Sequence, residues 1–470
     1  MKNILKINKL NIISALSLVM ILFSSCEKLI EVDVPVNQLT SNEVFLDSVT
    51  AQAAVNGMYS VMYNTTNAGT VTASTFGTFV INIPARSADE MYWPSSPDDE
   101  FVTNTILPES TNITSLWISP YQTIYQANKI ISGMEASSLS STLKKQLIGE
   151  AKFVRAFCYF TLVNFFGDVP LVVSTDVLVT RVQGRTPVAQ IYSQMIQDLK
   201  DAQSALSANY SWSANLRTRP NTWAATALLA RVYLYNKDYA LAESESSKVI
   251  AQQPMFGLPR LNETFLKAST ETIWAFNTNQ FGYPFIARAL LPTSSAADPN
   301  QALTTTLVSA FERSSTTPDL EDDRYAAWVR TSPGGIAYAA KYTSNTAGAN
   351  TEFAVVLRLA EQYLIRAEAR AQQNNLLGSI SDIDRIRTRA GLRGTTAQSR
   401  EQLLLAVEHE RQVELFLEYG HRWFDLKRTG RADVVLGALK GDNWHSTDLL
   451  YPIPQSQIIN NTNLKQNDGY

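Results

Sequence analysis

The chain is poor in the residues from which most metal, redox and nucleophilic sites are built. Its 470 residues include two cysteines and three histidines. His409, His421 and His445 do not fall at a metal-ligand spacing, and the HERQV run at 409–413 lacks the second His of a zincin. There is no G-x-S-x-G elbow, no phosphate-cradling glycine loop and no D-x-D-x-D-G calcium loop. Charged residues are 18% of the chain, the net charge is −3, and no basic stripe stands out, which argues against a nucleic-acid partner. Beyond the N-terminus, no apolar run is long enough to cross a bilayer as a helix. No cofactor and no metal are expected. Acidic residues are numerous, 43 Asp and Glu, but nothing in their spacing singles out the carboxylate pair that glycoside cleavage needs, so an enzyme is not expected.

What is present begins at the N-terminus. Lys2, Lys6 and Lys9 precede an apolar stretch from Ile12 to Phe23, and Ser24-Ser25-Cys26 follows. That order is the layout of a bacterial lipoprotein signal: residues 1–25 are removed and Cys26 becomes a lipid-bearing N-terminus. Each acyl CH₂ buried in a membrane contributes roughly 0.8 kcal/mol, so two or more chains anchor stably. With Cys26 so used, Cys158 has no partner for a disulfide. It lies among Phe153, Phe157, Tyr159 and Phe160, the setting of a buried small hydrophobe. Residues 26–40 read as an extended tether, since Pro35 and the β-branched residues disfavour helix.

The remainder is 45% hydrophobic and rich in aromatics, with 19 Tyr, 19 Phe and 8 Trp, ample for a large core. Helical spacing begins near Ser41, a good N-cap, and runs through Phe45, Val49, Ala53 and Met58. It lapses over 64–110, where Thr, Asn, Gly, Pro and Ser dominate. It resumes from Trp117 to Ile131, again from about Ser141 to a stop at Gly167-Asp168-Val169-Pro170, and a further pair starts at Pro187. The stretch PNTWAATALLARVYLYNKDYALAESESSKVIAQQP matches the tetratricopeptide pattern, whose period is about 34 residues, at Leu229, Ala230, Tyr233, Tyr239, Ala242 and Pro254. Looser units follow at 355–392 and 400–436. The expected fold is mainly α: a tetratricopeptide-like helical-repeat superhelix, with repeats near 115–170, 187–255, 355–392 and 400–436. Two loop-rich regions, 64–110 and 256–350, complete a single domain over 41–470.

Three segments then resemble a known family: EAKFVRAFCYFTLVNFFGDVPL (150–171), EHERQVELFLEYGHRWFDLKRTGR (408–431) and LYPIPQSQIINNTNLKQNDGY (450–470). Together with NEVFLDSVTAQAAVNGMYS (42–60) and ADEMYW (88–93), they are similar in order and position to the SusD/RagB family of Bacteroidetes surface lipoproteins. The resemblance implies capture of an oligosaccharide or polysaccharide at a loop-built site. It implies a SusC-like TonB-dependent transporter as partner and an outer-membrane location facing the cell exterior, to which Glu27, Glu31 and Asp33 after the lipidated Cys26 correspond. The RagB branch implies peptide as the other cargo, and a helical-repeat frame is also compatible with a non-catalytic interaction scaffold.

A sugar presents apolar C–H faces and hydroxyl-bearing edges, so its site needs exposed flat rings with polar side chains beside them. The loop aromatics are the candidates. Tyr92 and Trp93, with Asp89 as polar companion, come first, then Tyr283, Trp328 and Tyr338, with Trp212 in NYSWSAN as a further option. Aromatics at helical spacing are assigned to the core instead: Trp117, Tyr121, Tyr159, Trp223, Trp423 and Phe424. Asp425 is assigned to a cap or an Arg pair.

Overall fold

The computed structural model describes residues 43–67, 70–73, 75–278, 280–313, 321–348 and 350–470. The signal, the tether and Cys26 lie outside these residues. The first long helix, α1 (Ser48–Tyr63), is capped by Asp47, whose Oδ1 accepts the Val49 and Thr50 N–H groups at 2.8 and 3.2 Å. The helical spacing seen from residue 45 onward therefore spans a short 3₁₀ turn (Glu43–Phe45) and a new start, not one helix begun at Ser41.

Within 64–110, where no helix is expected, the chain forms α2 (Val80–Ser87), led in by a π turn over Thr75–Phe79. Every residue of α2 is buried. It is only eight residues long and carries Pro84, which argues against helix in sequence, and its polar Asn82, Arg86 and Ser87 are buried with the rest.

The frame then follows: α3 (Thr111–Ala136), α4 (Ser141–Phe166), α5 (Val188–Ala205), α6 (Thr222–Tyr235), α7 (Tyr239–Ile250), α8 (Leu359–Gln372), α9 (Leu376–Arg389), α10 (Arg400–Leu415), α11 (His421–Arg428) and α12 (Ala432–Lys440). Each helix from α4 to α8 packs on its predecessor, and α8 also contacts α9 and α10. Local sequence sets the ends. Ser140 accepts the Leu143 N–H, and Gly167 at φ +71° terminates α4. Asn221 caps α6, and Ser399 with Gln402 makes a capping box on α10. Ala230 and Ala242, both fully buried, let α6 and α7 approach. The molecule is a mainly helical superhelix, as its repeat pattern implies.

The core is dense in rings. Trp274 meets Phe153 and Phe157 edge to face at 4.9 and 5.5 Å, and Cys158 is buried beside them, its thiol pushed up by burial. Trp274 belongs to a strand (Thr272–Phe276) that pairs antiparallel with Ala354–Arg358. This pairing brings the two ends of the 256–350 region together against the frame.

Beside that pairing lies an ionic cluster without a single exposed member at its centre. Glu414 on α10 accepts from Arg358 at 2.6 Å, from Arg324 at 3.2 Å and from Arg389. Arg358, 1% exposed, also reaches Glu271 at 2.7 Å and Glu418 at 2.8 Å. Lys341 donates to the Glu414 and Phe416 carbonyls and to Glu418. Arg324 joins Asp322 and Glu410, and Arg387 joins Glu410 to Glu312. The turn after α10 holds Leu417 and Tyr419 at φ +53° and +40°, a conformation costly for side chains of this size. Lys341 on the Phe416 carbonyl and Glu90 on the Leu417 N–H hold it there.

Burial alone would raise the Glu410 carboxyl, but Arg324, His409 and Arg387 draw it from 4.5 down to about 2. Its folded value lies below its free value, so the stability it contributes is complete above about pH 4.5 and is lost as pH falls through 2. Thermal melts between pH 6 and pH 2 are expected to fall steeply over that window, by on the order of 3 kcal/mol from this group. Glu410→Gln should melt lower at neutral pH and show a flatter acid limb.

Candidate functional site

The loop that leaves α2 is fixed from below by charge. Asp89, 1% exposed, receives a bidentate pair from Arg422 on α11, Nε to Oδ1 at 2.8 Å and Nη2 to Oδ2 at 2.7 Å. Gln412 adds a contact to Oδ2 at 3.4 Å. Glu90 is buried next to it, and burial together with the Asp89 charge pushes its carboxyl up to about 8. The Glu90 carbonyl accepts the Thr304 N–H at 3.1 Å, which sets the pairing of Met91–Tyr92 with Ala302–Leu303.

Above this base, Trp93 and Ser96 close a turn around Pro94. The Arg86 guanidinium lies 4.1 Å from the Trp93 ring centre and 4.8 Å from that of Phe101, and pairs with Asp99 at 3.0 Å. Beside the turn is a groove of about 480 Å³. Tyr92, Asp98, Thr304, Thr306 and Asn443 line it, with Arg86 and Lys440 at its base. Lys440 donates to the Ser87 and Phe101 carbonyls and to Asn104, and burial lowers its ammonium to about 7. The groove thus offers a half-buried phenol ring, the hydroxyls of Thr305 and Thr306, an exposed amide and a carboxylate; Thr103 and Thr304 also line it, but their hydroxyls donate to the Asp99 and Asp89 carbonyls. Among the described residues that line it, Asp98 is the single carboxylate.

The six sequence candidates separate on this map. Tyr92 lines the groove and Trp93 walls it through Arg86. Tyr338 sits on the neighbouring hairpin (Val329–Thr331 with Ala337–Ala339), whose second strand contacts Ala302–Leu303. Tyr283 lies on a different turn, where its ring meets Phe285 edge to face and its hydroxyl receives Arg288 at 3.4 Å. Two expectations need correction. Trp328 is 1% exposed: its indole N–H donates to the Leu261 carbonyl at 3.1 Å and Phe265 packs on its face. It pins the 256–350 region and presents no free face. Asp89 spends both carboxylate oxygens on Arg422, so it positions the turn and is not free to bond a ligand. Trp212, half-buried, lines a separate groove of about 570 Å³ with Asn56, Tyr59, Asn277 and Gln280.

The helical aromatics largely behave as core. Trp423 is 1% exposed and stacks on Tyr451, and Tyr159 is fully buried. Asp425 pairs with Arg411 at 2.6 Å and Arg428 at 2.8 Å. Tyr121 and Trp223 are only half-buried. Glu312, His409 and Glu410 come within 4.8 Å of one another, but Arg387 and Arg324 already occupy the carboxylates, which makes this corner part of the ionic cluster. Thr304–Thr306, Lys440 and Asn443 escaped the sequence reading. Asn443 lies more than 300 residues from the turn it faces, and no local pattern marks it.

Residues 31–234 match a family described as SusD-like, starch-binding associating with outer membrane, and residues 305–470 match the SusD family. The chain belongs to the SusD/RagB family. A SusD-like protein of Formosa agariphila is 26% identical over 498 aligned positions, covering 93% of this chain and 95% of that protein. Another from the same organism is 28% identical over 274, so the match spans 55% of this chain and half of that protein's length. The starch-binding protein SusD of Bacteroides thetaiotaomicron is 38% identical over 122 residues, 24% of this chain and 21% of that one. Among solved structures, a SusD superfamily protein from Bacteroides vulgatus superposes with a TM-score of 0.79 at 21% identity, covering 91% of this chain and all of that one. A laminarin-binding SusD-like protein does so at 0.73 and 23%, covering 90% and 99%. These likenesses establish the fold, and family membership places the chain among carbohydrate-binding proteins of the outer membrane.

Arg422→Ala should leave Asp89 charged and buried without its partner, at a cost of about 3–5 kcal/mol in urea unfolding. Replacing both, as Asp89→Asn with Arg422→Met, should recover a good part of that loss.

Proposed function

We propose that this SusD/RagB-family protein is a lipid-anchored surface receptor. It captures an oligosaccharide in the Tyr92 groove and delivers it to a SusC-like TonB-dependent transporter, breaking no glycosidic bond. The observation that carries the reading is the groove itself. A ring face stands at its wall, hydroxyl and amide groups border it, and its floor is held rigid by the Asp89–Arg422 pair. Tyr92 covers an apolar sugar face while Thr305, Asn443 and Asp98 bond edge hydroxyls. Tyr338, on the adjacent hairpin, extends the aromatic surface, while Tyr283, on its separate turn, takes no part in this groove. With one carboxylate among its described lining residues, the groove suits binding without hydrolysis, which ordinarily uses two. The laminarin-binding relative makes β-linked glucans a first probe, alongside starch fragments. Anchoring through Cys26 holds the receptor at the outer membrane, next to its transporter.

Calorimetry against a panel of neutral oligosaccharides, with a peptide library beside it, tests the cargo. Tyr92→Ala is expected to weaken the best-bound sugar about 10-fold, the scale of one lost aromatic contact. Unchanged affinity would remove this groove from the reading, and peptide binding without sugar binding would replace the cargo. Cys26→Ser should move the protein from the membrane fraction to the soluble fraction.

A further inference from the structure

A second groove, of about 730 Å³, runs along α3 on the frame. Trp117, Tyr121 and Tyr125 recur every four residues and so stand on one face of the helix, with about 6 Å of rise between successive rings. Trp117 is 4% exposed and packs edge to face on Phe166, so it forms the floor. Tyr121 lies 5.2 Å from it, tilted, with its hydroxyl tied to the Pro170 carbonyl at 2.8 Å. Tyr125 is 44% exposed, an unusual degree for a ring on a frame helix.

The polar lining is as distinctive as the rings. Gln122 and Gln126 flank the rings on α3, and Gln457 and Asn460 face them from the short C-terminal helix Gln455–Asn460. None of these four amides has a hydrogen-bond partner among the described residues. Gln183 donates to the Leu171 carbonyl, yet its Oε1 is shielded from solvent and accepts nothing. Arg181 is the one charged side chain among the described residues of the lining. The Lys129 ammonium lies 5.7 Å from the Tyr125 ring centre, and the ring is otherwise 44% exposed; such rings, bordered by amides that both donate and accept, match a neutral ligand with apolar faces and hydroxyl edges. The opposing wall hangs from the same loop region that bears Tyr92, through the Gln455 N–H on the Pro108 carbonyl at 2.9 Å.

We infer that the α3 groove is a second binding site for neutral oligosaccharide, with Tyr125 and Tyr121 as its stacking face and Gln122, Gln126 and Gln457 as its hydroxyl partners. The inference rests on the reading of the protein as a glycan receptor but not on the Tyr92 groove being occupied. Two sites on one chain would let a long glycan engage both at once, raising its apparent affinity over that of a short fragment. The exposed Val177, Leu178 and Val179 beside the groove make a protein partner the competing occupant.

The experiment is calorimetry on the intact ectodomain with gluco-, xylo-, manno-, galacto- and fructo-oligosaccharides, comparing wild type, Tyr92→Ala, Tyr125→Ala and Gln122→Ala with Gln457→Ala. Wild type is expected to bind two molecules of a short oligosaccharide; Tyr92→Ala and Tyr125→Ala each weaken one site about 10-fold or more, leaving one measurable, and the amide double variant loses about 10-fold at the α3 site. Unchanged thermal melting of Tyr125→Ala, whose ring is exposed, shows that the loss is local. One site in wild type, abolished by Tyr92→Ala and untouched by Tyr125→Ala, overturns this inference and leaves the proposed function standing. One site abolished by Tyr125→Ala alone upholds it and removes the Tyr92 assignment. Weakened transporter association by Tyr125→Ala with sugar stoichiometry unchanged, or no binding to any of the panel, overturns it as well.

Discussion

Glu414 is the constraint on which the rest of the structure turns. Three guanidinium groups converge on it from three parts of the chain: Arg324 and Arg358 from the loop-rich region and its closing strand, and Arg389 from α9. Buried ions are costly to desolvate, so such a cluster is tolerable only if nearly every lone pair and proton is matched. That requirement is long-range and directional. It forces the 256–350 region to sit on the frame in one arrangement, something apolar packing alone specifies less sharply. Lys341 and Glu90 pass the constraint on to the Leu417–Tyr419 turn, and Arg422 passes it to Asp89. The Tyr92 groove is the outermost layer of a structure organised from its charged interior.

The helical frame was legible because its signals are local. Caps, terminating glycines and the small-residue spacing of the tetratricopeptide unit all operate within a few residues. The α4 helix ends at Gly167 for the reason its sequence suggests. Failure came where neighbours were remote. Residues 80–87 did not read as a helix because the segment is only eight residues long and holds Pro84, and the ionic cluster was invisible because Arg358 and Glu414 reveal nothing of each other in sequence. Glu410 and Glu414 resemble any pair of solvated carboxylates until their partners are placed.

The candidate site divides along the same line. Tyr92 and Trp328 are equivalent as loop aromatics. What distinguishes them is whether a second segment covers the ring, as Leu261 and Phe265 cover Trp328. Asp89 looked like a ligand contact because its partner arrives from 333 residues away. Conversely, Tyr121 and Trp223 show helical spacing misleading in the other direction, by assigning to the interior rings that are only half-buried.

The placement of Glu410 and Glu414 one helical turn apart has an evolutionary corollary. Inserting or deleting a single residue between Ser399 and Glu410 would swing both carboxylates by about 100° around the α10 axis and strand their cations in the interior. Length variation in this lineage should therefore collect in the peripheral turns, where new sugar specificities can be tried, while the segment from the α10 cap to Glu418 keeps a constant residue count.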